Sequence, residues 1–362
     1  MKIKNQYMLA MKKVMIDTRE IYKIKHNMNI ITINSFQTYG DGFGDYCQSK
    51  GICVEHYSFS KRPRSQFQSK CERVVREIVA FLKLFTIFPK IARRKIYCTG
   101  EQLGTLAFFR LFKFLLGKNG HLYIHNFYMH GLGKNRYVKM VLSWLFNNER
   151  VTLICQSPNE MAYYKELTNK CHLTFVPYCS DILPPPAGEL SNNSQLERYI
   201  FSGGYTNRDY ELIGELATRH PEQSFLIVAS SLNKNVDNLP RNVVVKKDIP
   251  NNEFERYLSN SIGVIVALKE DVGSSGQMLT ISAMRNKKPI IYTDIQAINY
   301  YFTPESGYPY VLGDIESLDN AYRRVFSNYE NARKMGEIAF VNSKQFTLES
   351  CYRKIYEILF MS

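Results

Sequence analysis

The sequence predicts an α/β protein of two parallel-sheet domains, and three observations lead there. Short apolar, β-branched runs alternate with helical patterns from residue 29 to residue 176. The alternation then stops at a polar stretch containing Pro184-Pro185-Pro186, Gly188 and Ser191-Asn192-Asn193-Ser194. After that stretch it restarts and runs to the end of the chain. Strands that alternate with helices call for a parallel sheet covered on both faces. A Pro/Ser/Asn-rich break between two such runs reads as an exposed linker. The expected boundaries are a first domain at 1–182, a linker at 183–196, a second domain at 197–344 and a final helix at 345–362. That helix is expected to cross back onto the first domain.

In the first half, strands are expected at 29–33, 52–57, 96–99, 121–125, 151–155 and 173–176. In the second half they are expected at 199–202, 225–229, 243–246, 262–268 and 289–292. Helices are expected at 208–219, 251–259, 275–285, 315–327 and 346–360, each with apolar residues at a spacing close to 3.6. In open parallel sheets, ligands sit off the C-terminal ends of the strands. Two such domains can therefore aim loops at a shared cleft.

Composition narrows the partners. A chain of 362 residues suits two domains, and 45% hydrophobic residues suffice for two cores. The net charge is +14, but it is segregated. Residues 1–180 carry 28 Lys/Arg against 11 Asp/Glu, whereas 181–362 carry 19 against 22. Solubility alone does not require such asymmetry, so the first half expects an anionic partner. The eight cysteines are scattered without a CxxC pair, which argues against a zinc site and for a reducing, cytoplasmic compartment. The opening 25 residues are too polar for a signal peptide, and no uncharged run is long enough to span a bilayer.

Two loops of the second half carry the donor-binding expectation. Gly273-Ser274-Ser275-Gly276-Gln277 follows an apolar strand and opens a helix. Unpaired amides at a helix start attract anions, and neighbouring hydroxyls can hold sugar or phosphate oxygens. Ser202-Gly203-Gly204-Tyr205-Thr206-Asn207-Arg208 follows the first strand of that half. Its glycines permit close backbone approach, and Arg208, read as opening the next helix, could clamp a diphosphate. A glycine pair alone is equally compatible with an ordinary turn and a solvated arginine.

The first half offers Gly40-Asp41-Gly42-Phe43-Gly44-Asp45 after its first strand, with Asp41 or Asp45 as a candidate base or acceptor contact. His125, where a strand meets its loop, is a candidate cleft residue beside Asn126, Tyr128 and His130. Residues 61–118 interleave Lys and Arg with Phe and Leu, including Lys61-Arg62-Pro63-Arg64 and Phe108-Phe109-Arg110-Leu111-Phe112-Lys113-Phe114. Helices of this composition suit a membrane interface, although part of the aromatic bulk also serves the core.

Taken in order, these segments resemble the GT-B glycosyltransferases, close to the family-4 retaining enzymes of bacterial surface polysaccharides. Ser202-Gly203-Gly204 through Arg208-Asp209-Tyr210 resembles the family's phosphate loop and following helix. Ser275-Gly276-Gln277 through Ala283-Met284, with Lys288-Pro289-Ile290-Ile291, resembles its glycine-loop, E-A-M and G-K-P-V-I signature. The stretch from Phe175 to Asp181 resembles the one that closes the acceptor domain. The chain departs from the family where two glutamates eight positions apart are usual, since Ser274 and Ser282 stand there. Glu270 and Asp271 are nearby carboxylates that could take a sugar-facing role.

The resemblance implies two Rossmann-like domains facing across a cleft and transfer of a sugar, with retention, from a UDP- or GDP-linked donor. Gly203, Gly204, Arg208, Glu270, Ser274, Ser275, Gly276, Gln277 and Ser282 would hold that donor. No metal and no separate cofactor is expected. His125, Asp41 and Asp45 would face a lipid-diphosphate-linked or glycan acceptor, with the protein on the inner face of the plasma membrane. Two competing readings are a nucleic-acid-binding protein built on the basic, aromatic half, and a catalytically inactive scaffold of the same fold.

Overall fold

The structure, a computed structural model, describes residues 29–34, 42–58, 70–100, 102–127, 135–181, 198–231, 233, 236–271 and 273–361. The expected linker at 183–196 lies outside them. The chain divides into two compact units. One runs to Cys155 and adds Tyr164–Thr174 and Tyr352–Ser362, and the other comprises Gln156–Tyr163 and Phe175–Cys351.

The first unit contains β1 (Asn29–Asn34), α1 (Gly42–Ser49), β2 (Cys53–Ser58), α2 (Lys70–Thr86), α3 (Phe88–Ile91), β3 (Lys95–Thr99) and α4 (Leu103–Leu111). A 3-10 turn (Lys113–Leu115), β4 (His121–His125), α5 (Arg136–Phe146) and β5 (Val151–Cys155) follow, then α6 (Pro158–Leu167), which belongs to the first unit from Tyr164 on, and β6 (His172–Phe175), which belongs to it up to Thr174. The strands order as β2-β1-β3-β4-β5-β6, with parallel pairing from β2 through β5. Helices cover the sheet, so its strands read as continuous apolar runs, such as Ile30, Ile31 and Ile33, or Val151, Leu153 and Ile154, all buried. Helices α2 and α4 touch through backbone at Gly104. A Cβ there would fall 2.1 Å from the Glu77 carbonyl oxygen, and the Gly104 amide donates to Glu77 Oε2 at 2.9 Å.

The second unit contains β7 (Tyr199–Gly203), α7 (Tyr210–Arg219), β8 (Ser224–Ala229), β9 (Val243–Lys247), α8 (Asn251–Asn260), β10 (Gly263–Val266) and α9 (Gln277–Arg285). It continues through β11 (Ile290–Thr293), α10 (Gln296–Asn299), β12 (Tyr308–Tyr310), α11 (Ile315–Phe326), α12 (Tyr329–Ser343) and α13 (Leu348–Phe360). The order is β12-β11-β10-β7-β8-β9, again parallel. The core gathers Ile200, Leu216, Phe225, Ile227, Ile265 and Ile291. From Tyr352 onward α13 packs in the first unit. Tyr352 lies against Phe43 and Gly42, Tyr356 against Tyr46, and Lys95 Nζ donates to the Leu359 carbonyl.

Three elements differ from expectation. Arg208 does not open α7. It forms a lone β-bridge with Leu268, and Asp209 caps the helix by accepting from the Leu212 amide at 3.2 Å. Strand β12 was not expected because Pro309 removes a backbone donor, a loss that its place at the sheet edge tolerates. Helix α12 was not expected because its buried stripe is only Ala332, Gly336, Ala339 and Ser343. That stripe is small because the helix lies on backbone: a Cβ on Gly336 would meet the Lys287 carbonyl oxygen at 2.0 Å.

Candidate functional site

The strand order of the second sheet reverses at β7, which lies between β10 and β8. Loops that leave the C-terminal ends of strands at such a reversal diverge and leave a crevice suited to a ligand. The loop after β7 runs from Gly203 to Asp209, and the loop after β10 runs from Ala267 to Gly276.

These two loops are knitted together. Beyond the Arg208–Leu268 bridge, the Asp209 amide donates to the Ala267 carbonyl at 3.1 Å and the Lys269 amide to the Asn207 carbonyl at 3.4 Å. The Asn207 side chain closes the pair: Oδ1 accepts from the Glu270 amide at 3.0 Å, and Nδ2 donates to the Glu270 carbonyl at 2.8 Å. Glu270 is exposed, so its carboxylate stands at the rim while its backbone is fixed.

Arg208 is buried, with 7% exposure, beneath the first loop. Its Nε donates to the Gly203 carbonyl at 2.8 Å and Nη1 to the Thr206 carbonyl at 2.7 Å. The guanidinium therefore braces the loop and places a permanent positive charge under it. Gly204 sits above that charge at φ +128°, where a Cβ would fall 2.3 Å from Nη2. Only glycine fits there.

In the second loop Gly276 adopts φ +89° and precedes α9, so the helix starts at Gln277 and not at Ser275. No side chain caps it, and its first-turn amides retain anion-binding character. Ser275 is buried and Ser274 half-buried. The segment 156–160 holds this loop from behind. Ser157 Oγ donates to the Gly273 carbonyl at 2.8 Å, Gln277 Nε2 donates to the Gln156 carbonyl at 2.7 Å, and Asn159 bonds Asp271. Sequence reasoning passed over this segment. Its signal was available in Ser157-Pro158-Asn159-Glu160, a capping box with proline at the first helical position. The box forms: the Glu160 amide donates to Ser157 Oγ at 3.1 Å, and Glu160 Oε2 accepts from the Gln156 amide at 2.7 Å. Burial raises the Glu160 carboxyl to about 7.

Ser282 stands farther along α9, buried, with Oγ donating to Glu255 Oε1 of α8 at 2.8 Å. The structure thus brings Gly203, Gly204, Arg208, Glu270 and the 273–277 loop to one reversal point. Ser282 faces the neighbouring helix.

In the first unit, His125 ends β4, half-buried, with Nδ1 at 2.9 Å from the Tyr97 hydroxyl. Desolvation holds its imidazole down at about 4, so it is neutral near pH 7. Phe43, in the first turn of α1, packs on Tyr97 at 4.3 Å between ring centres. Asp45 is exposed in that same turn. Asp41, Tyr128 and His130 lie outside the described residues.

The first unit also exposes an apolar face. Val74, Ile78, Leu82 and Phe85 form one stripe of α2, and Tyr137, Met140, Val141 and Trp144 form one stripe of α5, every one exposed. Phe114, 85% exposed, projects between them in sequence. Cations border it: Lys113 lies over the Phe114 ring, and Arg110 lies over Trp144 while donating to its carbonyl. Each stripe runs along one helix, which sets these residues apart from singly scattered apolar surface residues. Among the described residues, no helix is long and apolar enough to cross a membrane, and no three His, Cys, Asp or Glu gather as metal ligands.

No family model and no curated protein matches the chain. Solved structures do. The chain is similar to sucrose-phosphate synthase of Thermosynechococcus elongatus, with 14% identity and a TM-score of 0.66 over 91% of this chain and 98% of that one. It is similar to HepE of Anabaena, solved with UDP and glucose, with 10% identity and a TM-score of 0.62 over 92% and 100%. It is similar to the lipopolysaccharide outer core galactosyltransferase WaaB, with 12% identity and a TM-score of 0.62 over 92% and 99%. At these identities the likeness speaks for architecture, and with two six-stranded parallel sheets the chain has the GT-B fold of these glycosyltransferases.

Proposed function

We propose that the chain is a glycosyltransferase that moves a sugar from a nucleotide-sugar donor, UDP- or GDP-linked, to a lipid-linked or glycan acceptor in surface-polysaccharide synthesis. The carrying observation is the hydrogen-bonded pair of loops at the β7/β10 reversal, one braced by a buried guanidinium and the other opening an uncapped helix. Negative charge grows on the leaving diphosphate as the glycosidic bond breaks. Arg208 and the first-turn amides of α9 meet that charge where it develops, which lowers the barrier. Ser274, Ser275 and Glu270 face the sugar side. HepE, solved with UDP-glucose, supports a nucleotide-linked donor by analogy of fold.

His125 and Asp45 serve the acceptor, with His125 neutral and able to accept or donate one hydrogen bond. The exposed stripes of α2 and α5, with their flanking cations, seat the protein on an anionic membrane that carries the acceptor.

Calorimetry of the full chain against UDP-, GDP- and CMP-sugars tests the reading. One donor should bind, and Arg208→Ala should weaken it by roughly tenfold or more, the scale of a lost charge-assisted contact. No binding by any of the three overturns the proposal. Binding without transfer or hydrolysis selects the inactive scaffold instead, and stoichiometric RNA binding in place of nucleotide-sugar binding selects the nucleic-acid reading.

A further inference from the structure

We infer that the first unit enters an anionic lipid bilayer end-on, through an apolar tip at the 3-10 turn Lys113–Leu115 on which the C-terminal ends of α2, α4 and α5 converge. The inference rests on the membrane seat of the proposed function. It names the end of the unit that penetrates and the residues that carry it.

Side-chain contacts bring the three helix ends together. Phe112, just past α4, packs on Phe85 in the last turn of α2 at 5.1 Å between ring centres. Arg110, in the last turn of α4, stacks on Trp144 in the last turn of α5 at 5.2 Å and donates to its carbonyl at 3.0 Å. Beyond this junction Leu111, Phe114 and Leu115 are exposed, and Phe114 is the most exposed large apolar side chain among the described residues. The turn is braced from behind. Leu116 is buried, and the Gly117 amide donates to the Ala92 carbonyl at 2.6 Å. Arg150 Nη1 donates to the Gly117 and Gly120 carbonyls at 2.6 and 3.3 Å. Three large apolar side chains on a braced turn cannot fold back onto the core, so only burial against another phase removes them from water.

Charge selects the occupant. Residues 102–148 carry six Lys/Arg and no Asp or Glu. A second copy of the chain would set these cations against their own kind, whereas an anionic leaflet attracts each of them. Lys113 lies over the Phe114 ring at 4.9 Å, as Arg110 lies over Trp144. An apolar ring with a cation beside it suits a boundary that has hydrocarbon on one side and charged head groups on the other. A bilayer also takes a protruding tip without offering a complementary pocket. Position then fixes the orientation. Val74 and Tyr137, at the other ends of the exposed stripes, lie about 16 and 10 Å back along α2 and α5 from Phe85 and Trp144. The turn leads into β4, and His125 ends that strand about 13 Å beyond His121. An end-on seat thus holds His125 clear of the hydrocarbon, on the water side where the sugar of a lipid-linked acceptor projects.

The test uses the full chain and vesicles of phosphatidylcholine with and without phosphatidylglycerol. Trp144 is the only tryptophan in the chain, so its emission reports on the junction directly. With phosphatidylglycerol present the wild type should float. Its Trp144 emission should shift to the blue and be quenched by lipids brominated on their acyl chains. Phe114→Ser combined with Leu115→Ser should lower partitioning about tenfold or more, the scale of the apolar area withheld. Val74→Ser combined with Tyr137→Ser, at the far end, should leave partitioning nearly unchanged. Thermal unfolding of each pair separates a lost anchor from a lost fold. A far-end pair that loses as much as the tip pair lays the unit flat and overturns the end-on seat. A tip pair that floats like the wild type, or a wild-type Trp144 that brominated lipids leave unquenched, overturns it too, and the membrane seat and the glycosyltransferase reading survive. A wild type that binds neither vesicle overturns the inference together with the membrane seat, and donor binding by calorimetry then judges the glycosyltransferase reading separately.

Discussion

Asn207 and Glu270 exchange two hydrogen bonds, at 2.8 and 3.0 Å, between one amide side chain and the backbone of the neighbouring loop. Asn207 is held at φ 54°, a left-handed conformation that asparagine tolerates better than most residues. Asn207→Ala removes both bonds and places a Cβ-bearing residue without a local partner in that conformation. At about 1 kcal/mol per bond and 1–2 kcal/mol for the backbone, the loss is about 3 kcal/mol. Asn207→Gly keeps the backbone accessible and should lose only the bond share. Denaturant unfolding of both variants checks the order, and an Asn207→Ala protein as stable as wild type would assign the loop pairing to the backbone bonds at Asp209–Ala267 and Lys269–Asn207 and the Arg208–Leu268 bridge.

Gly204→Ala should abolish donor binding more thoroughly than its chemistry suggests. The new methyl group must displace the Arg208 guanidinium, and with it the bonds to the Gly203 and Thr206 carbonyls. Gly313 provides the control, since it also has positive φ, +72°, but a Cβ there meets nothing within 4 Å. Gly313→Ala should cost about 1 kcal/mol of stability and leave donor affinity unchanged. Equal donor affinity in the two variants would remove Gly204 and Arg208 from the site.

Much of this architecture was legible because parallel sheets write themselves as apolar runs. Strands such as Val151–Cys155 and Ile290–Thr293, buried at every position, stand out against polar helices. Elements whose buried side is small or proline-bearing, α12 and β12, leave no such trace. In the candidate site, the two glycine loops were visible as composition. The backbone pairing that makes them one structure was not, because a β-bridge at Arg208 depends on where Leu268 lies. The Ser282–Glu255 contact was hidden for the same reason: the two residues are 27 positions apart, and only packing of α8 on α9 joins them.

The apolar face of the first unit should govern vesicle association. Ile78 and Leu82 are 53% and 57% exposed on one stripe of α2. Replacing both with serine removes about 2 kcal/mol or more of transferable apolar area, enough to lower partitioning onto anionic vesicles by tenfold or more. Lys113→Glu should weaken association mainly at low salt, because it acts through the surface potential. Flotation measures both. Wild-type protein that stays in the bottom fraction at low salt would refute the membrane seat while leaving donor binding untouched.

His125 should make the first unit acid-sensitive. Its folded-state value, about 4, lies below the ordinary 6.5, so the unfolded chain binds the proton more tightly. Stability is therefore complete above pH 6.5 and falls as pH drops toward 4. His125→Gln, which keeps a hydrogen-bonding side chain beside Tyr97, should flatten that slope. An unchanged acid limb in urea unfolding would place the sensitivity elsewhere.

Glu160 should act with the opposite sign in the second unit. Its carboxyl titrates near 7 in the fold against an ordinary 4.5, so the folded protein holds the proton more tightly than the unfolded chain does. The stabilisation is complete below pH 4.5 and is lost as pH rises to about 7. Its upper bound is on the order of 3 kcal/mol at 1.36 kcal/mol per unit. Glu160→Gln keeps an acceptor for the Gln156 amide and cannot ionise. It should therefore match wild-type stability near pH 4.5 and exceed it at pH 8. Because Gln156 and Ser157 carry the bonds to Gln277 and Gly273, the same variant should hold donor affinity constant across this range. The wild type should lose some affinity as the pH rises. Parallel pH profiles for the two proteins, in both unfolding and donor binding, would separate Glu160 from the loop that it backs.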